Sequence, residues 1–370
     1  MGLSRRDRRL LAAGALAAAL GAGAACSSLA YTAQALAGGA RILLVRRPIE
    51  RALARGDLDA EAESKLRAIA RMREFAAGEL ALPVGGAYAS YAEIGRDVVT
   101  WNVVATPELA VDPVTWCFPV AGCVSYRGYF REARARRFAA RLAARGLDVT
   151  ITEAIAYSSL GWFDDPVLDT FLALPEWQLA GLLFHELAHR AVYARSDTAF
   201  NESYATAVEE LGLERWLAAR GDAAEVAVAR AALAEERTFD ALRLRARDEL
   251  AALYRSPASD AEKRAGKRRI LSALSAEHRR LRATGELGPR FDAWLAREPN
   301  NADLAAVADY AQWLPAMREL FARGDGFAAL HAAARELADL TRDERRARLA
   351  ELEAASRSKA NETGATRPGL

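Results

Sequence analysis

The chain has 370 residues, 52% of them apolar, with 51 basic and 49 acidic side chains, four His and three Cys. That composition supplies the core of one large domain or two smaller ones and excludes disorder and collagen-like repeats. The formal charge of +2, with all but four of the basic residues Arg, carries no footprint of a nucleic-acid partner.

Arg5, Arg6, Arg8 and Arg9 precede an apolar run from Leu10 to Ala25, and Cys26 follows. A basic start, a short apolar stretch and small residues before a cut are the layout of a bacterial export signal. The run is too short and too Gly-rich to read as a membrane span. Gly23-Ala24-Ala25-Cys26 resembles a lipobox, with Gly23 where Leu is usual, so the reading is a signal over 1–25 and a lipid on Cys26 that holds the chain to a bilayer; the alternatives are a plain cleaved signal and an uncleaved anchor. Ser27 in place of Asp favours the outer membrane, facing the periplasm. Without residues 1–25 the chain carries 47 basic and 48 acidic groups, so the positive balance belongs to the signal.

Residues 26–80 read as an N-terminal helical segment, with helices over Ala33–Leu44 and Leu58–Leu80. From 81 the pattern turns to strands. Val98–Val104, Cys123–Tyr129 and Asp148–Ile155 are β-branched, aromatic or alternating. An Arg-rich helix over about 130–145 keeps Phe130, Phe138 and Leu142 on one face, so its arginines form a solvated face. Cys117 and Cys123, with Pro119 and Gly122 between them, suit a disulfide outside the cytoplasm; the alternative is two small buried thiols. From 175 to about 355 nearly everything reads as helix, broken at Arg195–Thr198, Gly221-Asp222, Ser256–Ser259, Glu286–Pro289, Pro299–Asn301 and Gly324–Gly326. The expected organisation is a zincin-like catalytic region over 81–220, a helical C-terminal region over 221–357 and a flexible tail over 358–370. The fold class is α+β and predominantly helical, with a small antiparallel or mixed sheet packed on an active-site helix pair.

Within a helix expected over 176–194 stands His185-Glu186-Leu187-Ala188-His189, an H-E-x-x-H pattern. Spacing of i, i+4 stacks both imidazoles on one face, where they can share one zinc ion, with Glu186 placed as general base toward an attacking water. Catalytic zinc usually takes a third protein ligand. The chain turns near Arg195–Thr198, and a second, antiparallel helix brings Glu202 level with His189. Glu209, seven residues on along the same face, is the rival ligand, or else an outer partner of a zinc-bound His or a surface carboxylate.

Asn201-Glu202-Ser203-Tyr204-Ala205, following H-E-x-x-H, resembles the Asn-Glu helix of the gluzincin metallopeptidases, the thermolysin-like and membrane-alanyl-aminopeptidase-like group, at a shorter spacing than is usual there. Most of the chain downstream of the signal resembles a family of bacterial envelope proteins described as predicted aminopeptidases. The resemblance covers Cys26-Ser27-Ser28, Trp116–Cys123, Tyr157–Pro166 and the whole His185–Glu210 block. It implies a zinc peptidase, one Zn2+ per chain held by His185, His189 and Glu202, with a peptide as substrate. The Gly-x-Met-x-Asn motif that holds the substrate amine in gluzincin aminopeptidases is missing, since Met occurs only at 1, 72 and 317. Asp164 and Asp165 are candidates for that role, or else turn and cap residues. The peptide would lie antiparallel to a sheet edge among the strands before 157. Tyr193, Tyr204 and Tyr157 are candidates to stabilise the oxyanion. His278 and His331 read as structural or exposed. The alternative to an enzyme is an inactive zincin-like scaffold that binds peptides or partners.

Overall fold

A computed structural model describes residues 31–365 apart from 119–121, 158, 160–162 and 221, with side chains described as far as residue 358. The expected export signal and Cys26 lie outside the described residues.

Residues 31–45 form α1. After it come β1 (Arg47–Pro48), α2 (Ile49–Ala54) and α3 (Ala60–Gly78), whose first turn is capped by Asp59 accepting from the Ala62 N–H at 2.7 Å. β2 (Ser90–Ala92) pairs antiparallel with β1 and parallel with β8 (Val167–Leu168). The larger sheet has β3 (Thr100–Pro107) at its centre, antiparallel to β6 (Tyr126–Tyr129) on one side and β7 (Leu147–Ala154) on the other. Strand alternation gives this sheet two faces. Val103, Ala105 and Tyr129 pack against Ala135, Phe138 and Leu142 of α4 (Glu132–Ala143), whose arginines 134, 136, 137 and 141 are exposed. The opposite face is covered by the C-terminal half of the chain, as Thr150 Oγ1 donates to Asp303 at 2.7 Å and Asn300 Nδ2 donates to the Val149 carbonyl at 3.1 Å.

The expected strand over Cys123–Tyr129 is two strands. β4 (Trp116–Phe118) and β5 (Gly122–Val124) form a separate hairpin, bridged by the Cys117–Cys123 disulfide, and β6 belongs to the larger sheet. Ser125 makes the break. Its N–H bonds Thr198 Oγ1 at 3.4 Å and its hydroxyl bonds Asp309 at 2.5 Å, so its polar groups leave the ladder for helices that local pattern does not reveal.

The remainder is helical: α5 (Glu176–Ala191), α6 (Thr198–Arg220), α7 (Ala223–Arg255), α8 (Asp260–Ala283), α9 (Asp292–Ala296), α10 (Asn301–Ala311), α11 (Leu314–Arg323), α12 (Gly326–Asp339) and α13 (Arg342–Ala365). Most boundaries are chemical. Asp222 caps α7, and Ser259 with Glu262 and Asn300 with Asp303 form capping boxes. Two breaks were not anticipated. At Trp313 the backbone N–H bonds Ser203 Oγ at 3.1 Å, and Pro315 follows. At Thr341 the hydroxyl and Glu344 cap each other reciprocally. Helix α13 runs past the expected start of the tail at 358, since its Ala-, Glu- and Arg-rich run favours helix and Arg357 pairs with Glu353 one turn back.

Candidate functional site

The motif helix α5 is buried on nearly every side. Leu179, Leu183, Phe184, Leu187 and Ala188 are fully enclosed, and His185, Glu186 and His189 keep only 8%, 9% and 6% of their surface. The helix stops at Ala191, two residues past His189 and short of the expected 194. Val192 turns extended, and the turn that follows is held from α6. Asn201 accepts from the Ala194 N–H at 2.7 Å and donates to the Ala194 carbonyl at 2.9 Å. Asp197 accepts from the Phe200 N–H at the start of α6 and pairs with the buried Arg345 guanidinium at 2.6 Å. Asn201 thus acts as a staple of the turn, and its neighbour Glu202 faces the histidines.

Glu202 Oε2 lies 3.3 Å from His185 Nε2 and 3.6 Å from His189 Nε2. The three ligand atoms all fall within 4.8 Å of one another, so His185, His189 and Glu202 could hold a metal ion. The two distances to Glu202 suit zinc, because tetrahedral ligands at about 2.0–2.1 Å from a centre stand roughly 3.3 Å apart. The donor set fits as well. Glu209 Oε2 sits 3.0 Å from His185 Nδ1, so Nδ1 donates there and the lone pair of a neutral His185 would face Glu202. A cation between Nε2 and Oε2 removes that conflict. Without one, a second proton must do so. Burial opposes charging His185, yet the bonds to Glu202 and Glu209 outweigh it and hold its pKa well above the ordinary value. Burial pushes the Glu202 carboxyl up, but the His189 charge and both imidazole hydrogen bonds win and hold it far below the usual range. Glu209 therefore lies on the side of His185 away from Glu202. Gly181, one turn before His185, leaves it space, since a Cβ there would approach Glu209 Oε1 to 3.3 Å.

Glu186 lies beside this cluster. Burial raises its carboxyl pKa, with the His189 and His185 charges opposing and Glu202 and Asp165 adding to the rise. Four phenols surround the acids. Tyr193 is pushed up to about 12 by burial and then by Glu202. Tyr126 rises for the same two reasons. Tyr88 rises through burial and then Glu186. Tyr310 rises chiefly through the Glu202 charge, and its ring, 46% exposed, stacks on His185 at 6.1 Å between centroids.

Of the expected oxyanion candidates only Tyr193 faces the site. Tyr204 bonds His331 Nδ1 at 2.7 Å, and His331 Nε2 donates to the Leu80 carbonyl at 2.8 Å, a buried structural chain. Tyr157 packs on Phe130 at 5.4 Å. His278 is buried beside Phe239. Asp165 accepts from Ser159 N–H and Oγ at 2.8 and 3.0 Å, and Asp164 pairs with Arg190 at 3.4 Å, so both have local turn and pairing roles. Of the two edges of the larger sheet, where a peptide was expected to lie, that of β6 is closed at one end. Gln34 of α1 donates to the Gly128 carbonyl at 3.1 Å and accepts from the Phe130 N–H at 3.2 Å. Tyr310, Tyr126 and Tyr88 were missed. Alternation along Tyr126–Tyr129 separates Tyr126 from the α4 face, but no spacing rule ties Tyr310 to the motif helix.

No curated protein and no solved structure matches the chain. A family model described as "Putative aminopeptidase" matches residues 30–349. With that match over most of its length, the chain belongs to this aminopeptidase family.

Proposed function

We propose that the protein is a zinc-dependent metallopeptidase of gluzincin type that hydrolyses peptide bonds as an aminopeptidase. The observation that carries this reading is the convergence of His185 Nε2 and His189 Nε2 on one Glu202 oxygen at zinc-ligand spacing, with the buried Glu186 beside them. His185, His189 and Glu202 would hold the ion, and Glu209 would orient His185 through Nδ1. Zinc at that position would polarise the scissile carbonyl and acidify a water molecule. Glu186, with its raised pKa, takes the proton from the attacking water and passes one to the departing amine. The Tyr310 and Tyr193 hydroxyls, both under the influence of the Glu202 charge, are candidates to donate to the developing oxyanion. No observation favours an inactive scaffold. The same reading places the chain in the cell envelope, lipidated at Cys26 and facing the periplasm.

The test is zinc per chain and hydrolysis of free and N-acetylated peptides by the purified protein, with Glu186→Gln alongside. One zinc per chain, cleavage of free-amine peptides only, and a loss of about 10²–10⁴-fold in kcat for a metal-loaded Glu186→Gln are expected. Equal cleavage of acetylated peptides overturns the aminopeptidase assignment, and absence of zinc overturns the metal centre.

A further inference from the structure

Helix α1 is apolar on two sides. Over residues 31–45 its single charged side chain is Arg41. One side is docked on the catalytic half of the molecule. Tyr31 stacks on Phe118 at 5.0 Å and meets Tyr129 edge-on at 5.4 Å, with the Arg127 guanidinium 4.1 Å from its ring. Gln34 closes the β6 edge, and Ile42 is 3% exposed. The other side carries Ala33, Leu36, Ala37, Ala40 and Leu44 at helical spacing, and all are exposed. Leu36 is 69% exposed, Leu44 84% and Val45 43%, so three of the seven exposed large hydrophobics among the described residues fall within ten positions. A fourth, Phe163, precedes Asp164, whose carbonyl accepts from Arg46 at 2.5 Å, so it adjoins the C-terminal end of the same helix.

A helix with apolar residues all round needs cover on both sides. We propose that the outer face of α1 lies in the surface of a phospholipid bilayer, so that this helix joins the membrane to the catalytic sheet. The inference rests on the reading of Cys26 as the lipid-bearing residue. Four residues lie between Cys26 and Tyr31, a reach of at most about 17 Å when extended, so an anchor there holds α1 against the headgroups. Its 15 residues span about 22 Å, too short to cross a bilayer, and no helix among the described residues is long and apolar enough to do so. An apolar stripe of this kind with basic flanks is the pattern of a helix lying in the interface. The flanks are Arg41 on the helix and Arg46 just after it, both exposed and of the sign that suits anionic phosphates.

The experiment uses the full protein purified from membranes and reconstituted into phosphatidylethanolamine–phosphatidylglycerol vesicles. An environment-sensitive fluorophore is placed by Leu36→Cys or Leu44→Cys, with Val228→Cys, 60% exposed on α7, as the reference. Because these side chains sit outside the core, unchanged thermal melting confirms that the variants fold. The expected result is blue-shifted emission at 36 and 44, quenched by a lipid-borne nitroxide, with aqueous iodide quenching several-fold weaker than at 228. Iodide quenching equal to that at 228 overturns the proposal. So does excimer emission between pyrene labels at 36, which would make a second copy of the chain the occupant. The mass of the N-terminal peptide reports acylation separately. An acylated protein with water-exposed probes overturns only the α1 face, whereas an unmodified Cys26 in a protein that does not float with vesicles overturns the anchor and the face together.

Discussion

His185 stands between two carboxylates, Glu202 on Nε2 and Glu209 on Nδ1, and that position makes it the electrostatic centre of the site. The H-E-x-x-H spacing was legible because helical periodicity alone puts positions 185 and 189 on one face. Tyr310 was not legible, because it reaches His185 from α10 through packing alone. Replacing Tyr310 with Phe keeps the stacked ring and removes the hydroxyl. If that hydroxyl stabilises the oxyanion, kcat falls by about 10²–10³-fold while zinc content is unchanged, as steady-state kinetics and metal analysis will show. Asp309 gives a pH signature. Burial first, and the Glu202 charge with it, push its carboxyl up to about 7 against the bond from Ser125. A raised carboxyl leaves stability intact below its unfolded pKa of 3.8 and drains it as pH rises toward 7. The metal-free protein should therefore lose at most about 4 kcal/mol between pH 4 and 8, and less in so far as solvent reaches the group. Asp309→Asn should flatten that slope, as measured by urea midpoints across the range.

At the scale of elements, the α5–α6 turn sets the site. Local sequence placed a turn near 195–198 and a helix after it, and both are present. It did not reveal that α5 ends at Ala191, because the end is imposed by Asn201 gripping Ala194 from the following helix. Both groups of Ala194 are buried, so Asn201→Ala leaves a donor and an acceptor unpaired, at about 1–3 kcal/mol each. The expected outcome is a lower melting temperature together with weaker zinc binding, because Glu202 loses its fixed register against His189. Thermal melts with and without zinc separate the two effects. An unchanged zinc affinity in a destabilised variant would remove Asn201 from the account of the site. The split of the expected Cys123–Tyr129 strand has a similar origin, since Ser125 bonds α6 and α10 in place of a neighbouring strand.

At the scale of the molecule, the C-terminal helices are part of the site's support. Arg345 of α13 donates to Asp197 at 2.6 Å and to the carbonyls of Leu337, Ala338 and Leu340 at 2.9 Å, with both charged side chains almost wholly buried. Asp197 precedes Glu202 by five residues. Removing one partner of a buried pair strands the other charge, so Arg345→Met should cost about 3–5 kcal/mol by chemical denaturation. The double variant Arg345→Met with Asp197→Asn should recover part of that loss, since no unpaired charge remains. A double variant no better than the single one would mean that the bonds from Arg345 to the carbonyls, and not the charge pair, carry the energy.

By itself the sequence determined the parts that repeat over a few residues. These are the two histidines and Glu186 on one helix face, most capping positions that break the helical half, and the apolar stripe of α4. Each follows from a period of 3.6 or from a cap whose partners lie within three residues. The tertiary structure decided what depends on distant chain segments. It set Glu202 against Nε2 of both histidines and Glu209 against Nδ1 of His185, brought Tyr310, Tyr126 and Tyr88 around the acids, and withdrew Tyr204 to His331. Local spacing says nothing of these, because their free energy comes from burial and hydrogen bonds between elements that meet only when the chain is packed.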